Sequence, residues 1–114
     1  MNGSQILIVE GRGKITFVEA DSITYVEANG HEVLIHCPGE KYPAKGPFRE
    51  VERKLAGHDF VRIHRSYLVS LSHIRVIEDG WIVLDDLKET ELPVGLSYEQ
   101  NLRREIGNRN YLRL

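Results

Sequence analysis

Apolar and polar residues alternate along most of this chain in short runs, with turn-forming residues between the runs. Alternation of this kind is typical of β-strands that bury one face. The pattern predicts strands over residues 6–9, 14–19, 23–28, 31–37, 41–44, 60–63, 67–69, 73–77, 81–84 and 91–94. Residues 108–114 fit either a loose tail or a final packed strand.

Two dipeptides between these runs indicate β-hairpins. Asn29-Gly30 is the stronger signal, because a type I′ turn needs positive φ at both central positions and these residue types adopt it readily. Asp79-Gly80 is the second signal. The pattern therefore predicts tight connections between consecutive strands at both places.

Two stretches have helical spacing instead. A first helix is predicted over residues 47–56, in which Phe48 and Leu55 belong to one apolar stripe. A second helix is predicted from Ser97, as the N-cap, to about Ile106. With a short central helix and a C-terminal helix among so many strands, the predicted fold class is mainly β with a minor α+β character.

The composition is that of an ordinary globular protein. With 114 residues, 41% hydrophobic and 28% charged, the chain is expected to form a single domain over residues 1–114, with its core at about 6–106. No apolar run approaches the roughly 20 residues of a membrane helix. Cys37 is the only cysteine, so no internal disulfide can form, which fits a cytoplasmic location.

The net charge counts against a nucleic-acid partner, but its distribution does not. The chain carries a net charge of −2 with a pI near 6.2. Residues 57–75 are nevertheless basic, with three arginines and three histidines against one aspartate, whereas residues 76–99 are acidic. Such segregation permits one positive face on a slightly acidic molecule.

Three kinds of chemistry lack their sequence signatures. No serine lies in a Gly-x-Ser-x-Gly elbow, and Ser66 stands between Arg65 and Tyr67. The histidines are scattered and form no metal-ligand motif, while Gly11-x-Gly13 lacks the third glycine and the helix of a nucleotide-binding loop. We therefore expect neither an enzyme nor a bound metal or cofactor.

Hydrogen-bond donors are concentrated at the end of the predicted strand at 60–63 and in the residues that connect it to the predicted strand at 67–69. Four donor side chains lie there: Arg62, His64, Arg65 and Ser66. A short turn with so many donors indicates an acceptor outside the protein. The planar fork of arginine fits phosphate oxygens and base edges.

This stretch resembles the signature of the LytTR DNA-binding domain. The family pattern, Phe-x-Arg-x-His-Arg-Ser-Tyr followed by a Val-Asn-like pair and Ile, is similar to residues 59–74 (DFVRIHRSYLVSLSHI). Further similarities are a Lys-Ile-x-Phe opening, residues 21–28 (DSITYVEA), and residues 92–98 (LPVGLSY). The resemblance covers about residues 6–106.

The resemblance implies an elongated module of about ten short strands in several small sheets, in which loops and not a recognition helix contact DNA. It implies that His31 reaches a base edge in the major groove and that Arg65 enters the groove or contacts the backbone. A third contact, an arginine in many members, falls on Leu96 here, so the arginine is missing from that position. The candidate DNA-binding residues are Asn29, His31, Arg62, His64, Arg65, Ser66, Leu96 and Ser97.

Several side chains also have structural interpretations. His64 could be a partly buried histidine with satisfied hydrogen bonds, and Arg62 could form a salt bridge to a carboxylate such as Asp59 or Glu78. The larger aromatic residues are expected in the core and not in base stacking. They are Phe17, Tyr25, Phe48, Phe60, Tyr67 and Trp81.

The predicted function is sequence-specific binding of double-stranded DNA by the effector domain of a bacterial transcriptional regulator. The resemblance implies binding to paired repeats, a homodimer on DNA, no membrane partner, and an N-terminal sensor or receiver domain in a full-length protein. The rival prediction is a β-rich protein- or ligand-interaction module that has lost DNA binding. The slight acidity and Leu96 favour the rival.

Overall fold

A computed structural model describes residues 5–114 and contains ten short strands and two helices. The strands are β1 (Ile6–Gly11), β2 (Lys14–Glu19), β3 (Tyr25–Asn29), β4 (Glu32–Cys37), β5 (Glu40–Ala44), β6 (Phe60–His64), β7 (Tyr67–Ser70), β8 (Ile74–Glu78), β9 (Trp81–Leu84) and β10 (Glu91–Pro93). The helices are α1 (Phe48–Lys54) and α2 (Glu99–Gly107), and single 3₁₀ turns lie at Ala20–Ser22, Leu71–His73 and Leu96–Tyr98. Residues 108–114 form no strand.

The strands form three antiparallel sheets. A two-stranded sheet contains β1 and β2, a five-stranded sheet has the order β5-β4-β3-β7-β6, and a three-stranded sheet has the order β10-β9-β8. The predicted fold class, mainly β with a short central helix and a C-terminal helix, is confirmed. No helix within residues 5–114 is long and apolar enough to cross a membrane.

The core has two parts, one on each side of the five-stranded sheet's central strands. The first part packs β1, β2 and α1 against β3–β5, and the second packs β6 and β7 against β8–β10 and α2. Strand β6 shows how the sequence creates this arrangement. Its alternate residues Val61 and Ile63 are 2% and 0% exposed, whereas Arg62 and His64 are only half-buried. The apolar half of the strand is therefore fixed in the core, and the polar half faces away from it.

The hairpin predicted at Asn29-Gly30 is present, but its turn lies one residue further along the chain. Asn29 pairs with Glu32 as the last residue of β3, so the two connecting residues are Gly30 and His31. Only Gly30 has positive φ, at 64°. The type I′ prediction was therefore wrong, and positive φ at the first central position alone matches a type II′ turn. The buried strand residues set this register, because a shift of one residue would turn every side chain to the other face.

Two other hairpins do have positive φ at both central residues. At the predicted turn Asp79-Gly80 the φ angles are 50° and 82°. At Arg12-Gly13, between β1 and β2, they are 50° and 77°. Both connections match the type I′ geometry, which follows the twist of the flanking strands.

Two of the aromatic residues predicted in the core lie on the surface. Phe17 is 72% exposed and Trp81 is 47% exposed. The two-stranded sheet has only one covered face, and Val9 and Val18 occupy it. The other aromatic residues are half-buried against the core, as predicted: Tyr25, Phe48, Phe60 and Tyr67.

The second helix begins differently from the prediction. Ser97 lies inside the 3₁₀ turn that precedes α2, and no side chain caps the helix. Gly95 is extended at φ −69° and ψ 144°, and the amide of Tyr98 donates to its carbonyl at 2.9 Å. The N-cap prediction for Ser97 was wrong, because the chain already turns helically at Leu96.

Candidate nucleic-acid interface

Three loops meet at one end of the five-stranded sheet. The turn between β3 and β4 carries His31, and the turn between β6 and β7 carries Arg65 and Ser66. Because β3 pairs antiparallel with β7, both turns lie at the same end, and the amide of Ala28 donates to the carbonyl of Ser66 at 2.9 Å. Two polar hairpin tips are thereby placed side by side.

The third loop joins this end through β6. The amide of Gly95 donates to the carbonyl of Ile63 at 2.8 Å, and a side chain at Gly95 would lie 3.8 Å from the His64 ring. Leu96 and Ser97 follow directly and are exposed, Leu96 to 89%. We call residues 29–31, 65–66 and 95–97 together the hairpin end. It contains six of the eight residues predicted to contact DNA.

Arg65 is the most available cation of the hairpin end. It is exposed, and within residues 5–114 its guanidinium has no hydrogen bond or ion pair. Its backbone is held instead, since its carbonyl accepts from a side-chain nitrogen of Arg62 at 2.5 Å. A fixed backbone with a free arginine head is suited to an acceptor outside the protein.

His64 and Ser66 shape the turn that presents Arg65. The amide of Ser66 donates to Nδ1 of His64 at 3.0 Å, and the His64 ring lies 5.4 Å from the Tyr67 ring. Because Nδ1 is the acceptor, a neutral His64 carries its proton on Nε2. This geometry agrees with the structural interpretation of His64, a half-buried histidine whose ring nitrogen has a partner.

Arg62 lies three positions before Arg65 in the chain, but its side chain points into the protein. Its Nη1 donates to Glu52 of α1 at 3.0 Å, so the predicted salt bridge exists with a partner that sequence alone did not suggest. The predicted partner Asp59 instead binds Arg109 at 2.9 Å. The helix α1 supplies the carboxylate because it packs beside β6, at ten residues' distance in the chain.

His31 occupies the tip of the β3–β4 hairpin. Its side chain is exposed and has no hydrogen-bond partner within the described residues. It borders a shallow depression that continues to Pro47 and Phe48 at the start of α1. Asn29 beside it is the last paired residue of β3 and is also exposed.

Further cations lie at the same end, and sequence reasoning missed them. Arg12, at the tip of the β1–β2 hairpin, binds both carboxylate oxygens of Glu32 at 2.5 and 2.6 Å, and Glu32 directly follows His31. Lys45 directly follows Ala44, the last residue of β5, and Ala44 pairs with Val33 near the start of β4. The signal for Arg12 was its place in a Gly-Arg-Gly turn, but no local pattern shows which strand that turn approaches.

Two carboxylates near the hairpin end, those of Glu32 and Glu52, are paired with arginines. The hydrogen bond from Arg12 lowers the pKa of Glu32, so this carboxylate stays charged but is balanced by its partner. Glu52 forms a salt bridge with Arg62. With these two carboxylates paired, a chain with a net charge of −2 still presents at this end a cation, Arg65, that has no partner within the described residues.

No other chemistry is assembled among the described residues. Within residues 5–114, no group of three or more His, Cys, Asp or Glu side chains is placed to hold a metal ion. The described residues form a β-rich domain with Arg, His and Ser side chains at its hairpin tips, and loops on a rigid scaffold are a common location for binding residues.

The comparisons with known proteins identify the class as DNA-binding. The model of the LytTr DNA-binding domain family matches residues 13–107, and the chain belongs to this family. The resemblance seen in the sequence is thereby confirmed. The family is one of DNA-binding domains of transcription regulators and not of enzymes.

Longer regulators are similar to this chain. The CO-responsive transcriptional regulator RcoM of Rhodospirillum rubrum is 33% identical over 98 residues, which cover 82% of this chain and 42% of that protein. The transcriptional regulatory protein LytR of Staphylococcus aureus is 27% identical over 111 residues, 93% of this chain and 44% of LytR. The chain thus spans less than half the length of these relatives.

A solved structure has the same fold. It is the LytTr DNA-binding domain of a protein described as a methyl-accepting/DNA response regulator from Bacillus cereus. The TM-score is 0.76 at 23% identity, and the match covers 92% of this chain and 99% of the other.

Proposed function

We propose that this domain binds specific sequences of double-stranded DNA with the hairpin end, as the effector domain of a bacterial transcriptional regulator. The observation that carries the proposal is that two exposed side chains without internal partners, His31 and Arg65, lie on neighbouring hairpin tips. Loops on a rigid scaffold are a common location for binding residues.

The spacing of the tips suits the major groove. The β4–β3 hairpin and the β7–β6 hairpin are neighbours in one sheet, so their tips are about two strand spacings, or about 10 Å, apart. The major groove of B-DNA is about 12 Å wide. Both tips can therefore enter one groove without a recognition helix.

Each residue of the hairpin end has a chemical role in this proposal. Arg65 binds a guanine edge or a phosphate through its fork, and His31 hydrogen-bonds a base edge. Asn29, Ser66 and Ser97 donate to phosphates or bases beside them. Leu96 has an apolar side chain at the position where many members of the family have an arginine, so that polar contact is missing here.

The proposal extends to the whole regulator. Two copies of the domain bind paired repeats in the DNA and form a homodimer there, in the cytoplasm. An N-terminal sensor or receiver domain controls them in a full-length protein. The greater length of the relatives supports such a second part, and the name of the RcoM relative describes a regulator that responds to CO.

Selection of duplexes from a random library with this chain tests the proposal, followed by fluorescence anisotropy with the enriched duplex and with a scrambled duplex. We expect enrichment of one motif and preference for it over the scrambled control. The logarithm of the binding constant should fall with the logarithm of the salt concentration, with a slope of about −0.9 per phosphate contacted.

The rival function is an interaction module without DNA binding, which the exposed apolar side chain of Leu96 favours. Under that function no motif is enriched and the response to salt is weak. A flat selection would therefore reject the DNA proposal.

A further inference from the structure

The guanidinium of Arg62 contacts neighbours of all three loops of the hairpin end. It is a half-buried group with a side-chain exposure of 25%. Its position was among the predicted DNA contacts, yet three of its donors have partners inside the protein. These partners connect pieces of chain that are far apart in sequence.

Two donors hold the turn between β6 and β7. Nε donates to the carbonyl of His64 at 2.8 Å, and Nη2 donates to the carbonyl of Arg65 at 2.5 Å. Both acceptors are backbone oxygens, so the turn cannot shift without breaking these two hydrogen bonds. The backbone position of Arg65 is therefore tied to Arg62.

The same guanidinium is tied to the loop that carries Leu96. It lies 5.8 Å from the centre of the Tyr98 ring. Tyr98 closes the turn at Gly95 through its amide, and its ring is 3.1 Å from where a side chain at Gly95 would begin. The 95–98 turn and the 65–66 turn thus share one cation between them.

Helix α1 supplies the third connection. The guanidinium lies 4.5 Å from the centre of the Phe48 ring and donates to Glu52 at 3.0 Å. Phe48 lines the depression that His31 borders. Arg62 is thus held by an aromatic ring and a carboxylate of α1. Because α1 also borders the depression beside His31, these contacts connect the His31 loop indirectly to the other two loops.

We propose that Arg62 is a positioning residue for DNA recognition, which fixes the three loops of the hairpin end relative to one another and makes no contact with DNA. The inference rests on the proposed function. Contacts to base edges need placement to about 0.5 Å, whereas contacts to phosphates tolerate more movement. Loss of the Arg62 contacts therefore lowers binding to the selected duplex much more than binding to a scrambled duplex.

Arg62→Lys is the first test, because lysine keeps the charge and loses the fork. We expect the ratio of affinities for the selected and scrambled duplexes to fall at least tenfold. The salt slope should stay unchanged, since no phosphate contact is lost. A slope reduced by about 0.9 in Arg62→Gln, which removes the charge, would show a phosphate contact and overturn the inference. A purely structural role would lower both affinities equally and would also overturn it.

Glu52→Ala is a second test in which charge and positioning predict opposite results. Removal of a carboxylate near DNA should strengthen binding if only charge matters. The positioning role predicts that the same ratio falls. Glu50→Ala is the matched control, because Glu50 lies on the same helix and pairs with Arg53 and Lys54 instead of Arg62. An unchanged ratio in Glu52→Ala, or an equal change in the control, contradicts the proposal.

Two measurements separate failure of this inference from other failures. Thermal melts establish that each variant is folded at the assay temperature, and Glu52→Ala carries the test if Arg62→Lys does not fold. If the wild-type chain selects no duplex, the proposed function fails. Amide chemical shifts of Arg62→Lys then decide: joint changes at 65–66 and 96–98 support the coupling, and changes confined to one turn reject it.

Discussion

Arg62 and Arg65 of the sequence motif lie only three positions apart, but their guanidinium groups have different surroundings. Arg65 lies in the turn and is exposed, whereas Arg62 lies in β6 with its side chain against α1. The backbone position relative to the turn therefore determines the role of each side chain, and the residue type does not. Arg65 can bind a partner because the protein satisfies only its backbone.

Replacement of Arg65 by alanine should weaken binding to the selected duplex by roughly 5- to 150-fold, which corresponds to about 1–3 kcal/mol for one good base contact. The melting temperature should change little, because exposed side chains without partners contribute little to stability. Anisotropy titration and a thermal melt measure the two effects. Arg75→Ala, an exposed arginine of β8 paired with Glu89, is the control. Equal affinities of wild type and Arg65→Ala would contradict the assignment.

Leu96→Arg should strengthen DNA binding by restoring an arginine to the third loop. The added cation contributes at least one phosphate contact, so the salt slope should steepen by about 0.9. Leu112→Arg is the matched control, because Leu112 is also fully exposed but lies in the C-terminal tail. Unchanged or weaker binding of Leu96→Arg would contradict the placement of this loop on DNA, and an equal gain in the control would show a general charge effect.

The two-stranded sheet of β1 and β2 shows why the alternation pattern wrongly predicted that Phe17 is buried. Strand β2 has apolar residues on both faces, and only the face with Val18 packs on the core. Phe17 and Ile15 lie on the outer face, where they are 72% and 62% exposed. A strand with apolar residues on both faces gives no signal for which face is covered.

Phe17→Ser should leave the free energy of unfolding within about 0.5 kcal/mol of wild type, because the ring is mostly in solvent. Val18→Ala, one residue away, should cost about 2 kcal/mol through lost burial and the cavity left behind. Urea denaturation of the two variants measures the difference. A loss for Phe17→Ser as large as that for Val18→Ala would show that the outer face is covered.

The whole molecule is elongated, and its hairpin end lies at one end of the five-stranded sheet. Its dimensions are 46 × 36 × 27 Å, with a radius of gyration of 13.8 Å. The net charge is −2, but Glu32 and Glu52 near the hairpin end are paired with Arg12 and Arg62. Under the proposed function, binding through the hairpin end leaves the other surfaces free for a second copy on the same DNA.

Paired repeats bound by two copies should depend on the helical phase of the DNA. Insertion of about 5 base pairs between the repeats turns one site to the opposite side of the duplex, and insertion of about 10 restores it. We expect cooperative binding to be lost in the first case and regained in the second. Electrophoretic mobility shifts with the three duplexes measure this. Equal cooperativity at all spacings would mean that the two copies do not touch on DNA.

Much of the fold could be predicted from the sequence, because local patterns have local causes. The alternation of Val61 and Ile63 with Arg62 and His64 indicates a strand with one buried face, and the structure confirms it. The hairpin at residues 29–30 was predicted, but its exact register was not. That register depends on which strand residues are buried, and burial is a property of the packed sheet.

The sequence by itself determined the family, the mainly β fold and the donor-rich segment, since each depends on residue types at fixed spacing. Only the tertiary structure decided that Glu52 and not Asp59 pairs with Arg62, and that Arg12 lies beside Glu32. These contacts join residues 10 and 20 positions apart, on elements that meet only after packing. The side chains that can reach a partner are those that packing leaves unpaired, and packing is a property of the whole fold.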